Sequence, residues 1–171
     1  MSKGAVVWMT GLPASGKTTL AERLAARLRE ARVPSVVLDG DEVRDVLVPH
    51  PGHDPADRDA FYQTLGGLAA LLARRGLVAI VAATAHRRVW RDHARHRASR
   101  FVEVHVATPL DECKRRDPKG LYERADGLPD LPGVGVPYEP PLHPEVIAAR
   151  GDEARAADAV LGLLGIGELT T

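Results

Sequence analysis

The chain has 171 residues and a mass of 18.4 kDa, a length for one domain with its own core. Lys plus Arg number 23 and Asp plus Glu also 23, so the formal net charge is zero, which excludes wholesale electrostatic binding to nucleic acid or to a membrane surface. One cysteine excludes an intrachain disulfide and a cysteine-based zinc site, and no apolar run is long enough for a signal peptide or a membrane span, so a cytoplasmic protein is expected.

The first element is a short apolar run, Ala5–Met9, which reads as a buried strand with Trp8 in the core. Next comes Gly11-Leu-Pro-Ala-Ser-Gly-Lys-Thr18, which fits G-x-x-x-x-G-K-[ST]. Gly11 and Gly16 let the backbone wrap a phosphate, so that the amides of Leu12, Pro13's neighbours, Ala14 and Ser15 can turn inward. Lys17 adds a cation for the β- and γ-phosphates, and the Thr18 hydroxyl is a donor for Mg²⁺, with Thr19 behind it. The motif sits in the context it requires, since Leu20, Leu24 and Leu28 recur every four residues in an amphipathic helix. A nucleotide phosphate site outweighs a bland glycine turn.

Val36–Leu38 is the second strand, closed by Asp39-Gly40-Asp41. Two readings stand here. One is a tight turn with Asp41 capping a helix. The other is a pair of carboxylates at the edge of the sheet, one organising Mg²⁺ and one taking a proton from an attacking hydroxyl. Arg44 follows by one helical turn and could pair with Asp41 or hold a substrate anion.

Pro55–Arg75 has helical spacing of Phe61, Leu65, Leu68, Leu71 and Leu72, with Asp54 as N-cap, Pro55 at the first position and Gly76 as the stop. Leu77–Ala83 is the third strand and Phe101–Val106 the fourth. Between them, His86–Arg100 is dense in Arg and His and reads as a solvated helix face rather than a nucleic-acid patch; His93 and His96 read as surface residues, not metal ligands. Helices follow at Pro109–Arg116, where Cys113 reads as a core or boundary thiol, and at Asp152–Leu164. Strand–helix alternation implies a parallel sheet covered on both faces. Asp117–Pro144 breaks the alternation with seven prolines and four glycines, which suits a lid, and Lys119 in it could neutralise charge when that lid closes.

The phosphate loop, Leu38-Asp-Gly-Asp-Glu-Val-Arg44, Thr108-Pro-Leu-Asp-Glu-Cys113, Arg116-Asp-Pro-Lys-Gly-Leu-Tyr122 and Pro137-Tyr-Glu-x-Pro141 together resemble the adenylylsulfate (APS) kinase family, in its order and spacing, across residues 4–165. The resemblance implies a single α/β domain, a P-loop NMP-kinase-like three-layer sandwich with a parallel sheet and a lid at 117–144. It implies ATP and Mg²⁺, a small-molecule acceptor rather than nucleic acid or membrane, a homodimer, and transfer of the γ-phosphoryl of ATP to the 3′-hydroxyl of adenylylsulfate in sulfate assimilation. By the same resemblance Asp41 is the base, Asp39 lies near the metal with Thr18, Arg116 lies near the ATP adenine, Arg44 and Arg58 hold the acceptor's anionic groups, and Lys119 belongs to the lid.

The chain departs from the family around the acceptor. His53 stands where the family has a Phe that stacks on the acceptor adenine, and Phe61 where it has Asn. Ala83-Thr-Ala-His-Arg-Arg88 replaces F-I-S-P-[FY]-R, which makes Ala85, His86, Arg87 and Arg88 candidates to read the acceptor, and Leu131 replaces a second stacking Phe. The phosphoryl-transfer residues are kept while the aromatic clamp is not. Two alternatives therefore stand beside adenylylsulfate kinase: a related enzyme acting on a hydroxyl of another anionic small molecule, and a nucleotide-binding regulatory protein.

Overall fold

The computed structural model describes residues 4–124 and 129–166. Five strands, β1 (Ala5–Thr10), β2 (Ser35–Asp39), β3 (Val78–Ala82), β4 (Phe101–Val106) and β5 (Val146–Ala148), form one parallel sheet in the order β2-β3-β1-β4-β5. Six helices connect them: α1 (Lys17–Glu30), α2 (Gly40–Val46), α3 (Pro55–Arg74), α4 (Arg88–Arg97), α5 (Leu110–Arg116) and α6 (Glu153–Leu163).

The alternation of β1 divides the core into two halves. Ala5, Val7 and Met9 face Leu20, Leu24 and Leu28 of α1 and Ala156, Ala157 and Val160 of α6. Val6 and Trp8 face Phe61, Tyr62, Leu65 and Ala69 of α3 and Trp90 and Ala94 of α4. A sheet buried on both faces needs this apolar repeat in both registers, which is why β1 reads as a continuous apolar run. Each fully buried leucine of α1 contributes roughly 1.5–3 kcal/mol relative to exposure, so this face anchors the helix that carries Lys17 and Thr18.

The sequence boundaries of α3 match closely: Asp54 caps it by accepting the Asp57 amide, Pro55 opens it, and Gly76 follows its end at φ 92°. At α2 the cap differs from the sequence reading. Asp39, not Asp41, is the N-cap, its side chain accepting the amides of Asp41 and Glu42, because the helix begins two residues earlier, at Gly40. The sequence reading has no counterpart of β5, a three-residue strand after the long connection. Part of that connection, residues 125–128 and thus Gly127, lies outside the described residues.

Candidate active site

The loop after β1 lies between the ends of β3 and β4, at the crevice where a parallel sheet with this strand order holds ligands. Gly11 is required by close approach: a Cβ there would meet the Val106 carbonyl at 2.5 Å and Ser15 Oγ at 2.8 Å. Gly16 sits at φ 102°, the left-handed conformation that turns the chain into α1. Thr108 Oγ1 donates to the Ser15 carbonyl at 2.7 Å, and Tyr122 Oη donates to the Pro13 carbonyl at 2.8 Å, so the loop is held from two sides. Lys17 Nζ donates to the carbonyls of Gly11 and Leu12 at 3.0 and 2.8 Å, and burial lowers its pKa to about 8.

Thr18 Oγ1 donates to Asp39 Oδ2 at 2.7 Å. Asp39 divides its carboxylate: Oδ1 serves the helix cap, and Oδ2 faces Thr18. A hydroxyl and one carboxylate oxygen are hard donors that suit Mg²⁺, which keeps waters and takes its remaining ligands from phosphates. Among the described residues no group of three or more His, Cys, Asp or Glu is arranged for a metal.

Asp41 projects from the first turn of α2, and Lys119 Nζ lies 2.5 Å from its Oδ2. This contact raises the pKa of Lys119. Arg44 is buried, its guanidinium 4.0 Å from the ring centre of Phe61, and its Nη1 donates to the carbonyls of Pro51 and Gly52. Burial lowers its pKa. Phe61, one of the residues that depart from the family pattern, therefore acts as the platform for Arg44. Arg58 Nη2 donates to the Asp130 carbonyl at 2.9 Å and so ties α3 to the long connection. His53 is exposed, with a pKa lowered by desolvation and then by Arg44 and Arg58.

After β3, Ala85 takes φ 40° and donates its amide to Tyr62 Oη at 3.0 Å. His86 is buried edge-on against Trp90 at 4.8 Å, and burial together with Arg58 and Arg87 lowers its pKa to about 4, so the ring is neutral at pH 7. Leu131 is buried against Cys113 and Tyr122, with Leu12 and Ala14 packed on the same cluster. Arg116 ends α5 beside the phosphate loop: its Nη1 is 3.5 Å from where a Cβ on Gly16 would lie, and its Nε is 3.3 Å from Glu112 Oε1. Thr19 is exposed on the first turn of α1.

The basic stretch His86–Arg100 is less solvated than its composition implies. Arg91 is 1% exposed and pairs with Glu103 on β4, and Arg95 pairs with Glu103 and Glu145. Thr10, Tyr62, Tyr138 and Glu139 fix the loops next to the site; Tyr138 and Glu139 fall in the Pro137–Pro141 motif, whereas Thr10 and Tyr62 carry no sequence signal of their own.

Residues 3–149 match the family model described as adenylylsulphate kinase. The chain is 43% identical over 146 residues to the adenylyl-sulfate kinase of Gloeothece citriformis, which covers 84% of this chain and 83% of that one. It is 45% identical over 145 residues to the adenylyl-sulfate kinase of Chloroflexus aurantiacus, covering 84% and 78%. The fold matches the Mycobacterium tuberculosis APS kinase CysC in complex with AMPPNP and APS with a TM-score of 0.89, at 34% identity, covering 96% of this chain and 99% of that one.

Proposed function

The chain belongs to the adenylylsulphate kinase family, and on that premise we propose the residues and steps by which it works. The protein is an ATP-dependent kinase that transfers the γ-phosphoryl of ATP to the 3′-hydroxyl of adenylylsulfate, giving 3′-phosphoadenylylsulfate. The observation that carries the assignment of roles is the convergence of Lys17, Asp39, Asp41 and Lys119 at one end of the sheet.

In this reading the loop Gly11–Thr18 wraps the phosphates of ATP, and Lys17 turns from its own loop carbonyls to their oxygens. Thr18 and Asp39 hold Mg²⁺, which when bound neutralises charge on the phosphates. Arg116 lies beside the adenine. Asp41 accepts the proton of the acceptor hydroxyl, and Lys119 moves from Asp41 toward the charge that develops on the transferred group. Catalysis then rests on alignment and charge neutralisation. Arg44, Arg58, His53, Ala85 and His86 face the acceptor, and the segment 117–144 closes over the site and limits hydrolysis.

We further propose a homodimer in the cytoplasm, on the family's pattern; light scattering tests the first. No helix among the described residues is long and apolar enough to cross a membrane.

The deciding experiment measures ADP release from Mg-ATP with and without low-micromolar adenylylsulfate. Fast, saturable release supports the acceptor. Release no faster than without acceptor, from protein that still binds ATP, would move the activity to another anionic alcohol.

A further inference from the structure

Arg91 belongs to the most basic stretch of the chain, yet its side chain is 1% exposed. A buried guanidinium is costly unless it is paired and its donors are satisfied. Here each nitrogen reaches a different segment. Nε donates to Glu103 Oε1 on β4 at 2.9 Å, Nη1 donates to the Ala85 carbonyl in the loop after β3, and Nη2 donates to the Glu139 carbonyl at 2.6 Å. Neutralising the charge needs only Glu103. The other two bonds go to main-chain carbonyls of two segments far apart in sequence.

Those two segments are bound to each other as well. The Glu139 amide donates to the His86 carbonyl at 2.8 Å, and Glu139 Oε2 accepts the Arg88 amide at 2.7 Å. Thr10 Oγ1, one residue before the phosphate loop, donates to the Thr84 carbonyl at 2.6 Å and lies 3.0 Å from Tyr138 Oη. Within this frame Ala85 takes φ 40°, which a residue with a Cβ adopts only when its surroundings enforce it. Arg91 on its carbonyl and Tyr62 on its amide supply that enforcement.

We propose that Arg91 is a positioning residue for acceptor binding: it locks the loop Thr84–His86 to the return segment Tyr138–Glu139 and so fixes the wall that His86 presents to the acceptor. This rests on the reading above that Ala85 and His86 line the acceptor side. The phosphate loop is held by other groups, Thr108 and Tyr122, so nucleotide binding is independent of Arg91.

The test is Arg91→Lys, which keeps the charge opposite Glu103 but cannot span three segments. Three quantities are measured: KM for adenylylsulfate, Kd for AMPPNP, and hydrogen exchange at the Arg88 and Glu139 amides. The expected result is a KM raised about tenfold or more, as for loss of a charge-assisted hydrogen bond. The Kd stays unchanged, and the two amides exchange faster while those of Trp8 and Ile80 do not. If the lysine variant does not fold, the paired change Arg91→Met with Glu103→Leu removes the buried ion pair without leaving a lone charge, and the same measurements apply. An unchanged acceptor KM overturns the proposal, and so does an equal loss of nucleotide and acceptor affinity, which would make Arg91 a general structural residue. A wild-type protein with no adenylylsulfate-dependent ADP release refutes the acceptor reading instead. The exchange of the two amides then decides whether Arg91 couples the segments.

Discussion

Lys119 Nζ lies 2.5 Å from Asp41 Oδ2, joining the start of the long connection to the first turn of α2 across 78 residues of sequence. Both side chains are largely exposed, so the pair contributes little to stability. In the proposed mechanism its value is positional, because it holds the cation beside the carboxylate assigned as the base. Lys119→Met should lower kcat by about 10²–10³, the loss seen when one donor to a developing anion is removed. AMPPNP affinity and the melting temperature should stay near wild type. An unchanged kcat would leave the pair as a resting contact only.

The two carboxylates of the acidic turn should separate on mutation. Asp39 both caps α2 and faces Thr18, whereas Asp41 caps nothing. Asp39→Ala should cost about 1 kcal/mol of stability through the cap and also raise the Mg²⁺ concentration needed for activity. Asp39→Asn keeps a capping oxygen, so it should show the Mg²⁺ effect with a nearly normal melting temperature. Asp41→Asn should leave stability and AMPPNP binding alone and cut kcat by about 10²–10⁴. A Mg²⁺ titration beside thermal melts distinguishes these patterns. If Asp41→Asn and Asp39→Asn behave alike, the division of roles is wrong.

Lys17 sets a pH dependence. Burial lowers its pKa from 10.5 to about 8, so between those values the unfolded chain holds a proton that the folded protein has released. Stability from this group therefore rises with pH across that window, is complete above 10.5 and is lost as the pH falls through about 8. Nucleotide binding runs the other way, since polyphosphate favours the charged amine. Above pH 8, ATP binding should take up close to one proton per site and weaken as the pH rises. Calorimetric titration at pH 8.5 in two buffers of different ionisation enthalpy reads the uptake. Lys17→Met should abolish it, and a wild-type protein showing no uptake would contradict the assignment.

Much of this site is legible in sequence because its chemistry is local. The phosphate loop works through backbone amides, so the spacing of Gly11, Gly16 and Lys17 carries it whole. The capped start of α3 is legible for the same reason, since Asp54 and Pro55 act within one turn. What is hidden depends on distant partners. Arg91 looks like any other arginine of α4 until Glu103, Ala85 and Glu139 are brought to it by the sheet and the long connection. Asp39 and Asp41 differ in which carboxylate caps, and that follows from where α2 begins, which spacing alone leaves open. The strand β5 has three residues, too few for a periodicity to register.

The two residues that replace the family's stacking phenylalanines should respond differently to restoration. His53 is exposed beside Arg44 and Arg58, with room for a larger ring. Base–aromatic stacking is worth about 1–3 kcal/mol, so His53→Phe should lower KM for adenylylsulfate by about tenfold. Leu131, itself part of the long connection, is only 8% exposed and packed against Cys113 and Tyr122, with Leu12 beside them. A phenylalanine there overfills a closed cluster at a cost of about 1–3 kcal/mol. Leu131→Phe should therefore lower the melting temperature without improving KM. Tyr122, which also holds the Pro13 carbonyl, would be displaced, so AMPPNP affinity should fall with it. Steady-state kinetics and calorimetry on the two single variants test this directly. A Leu131→Phe variant that binds adenylylsulfate more tightly would mean the connection turns residue 131 out of the cluster and onto the acceptor.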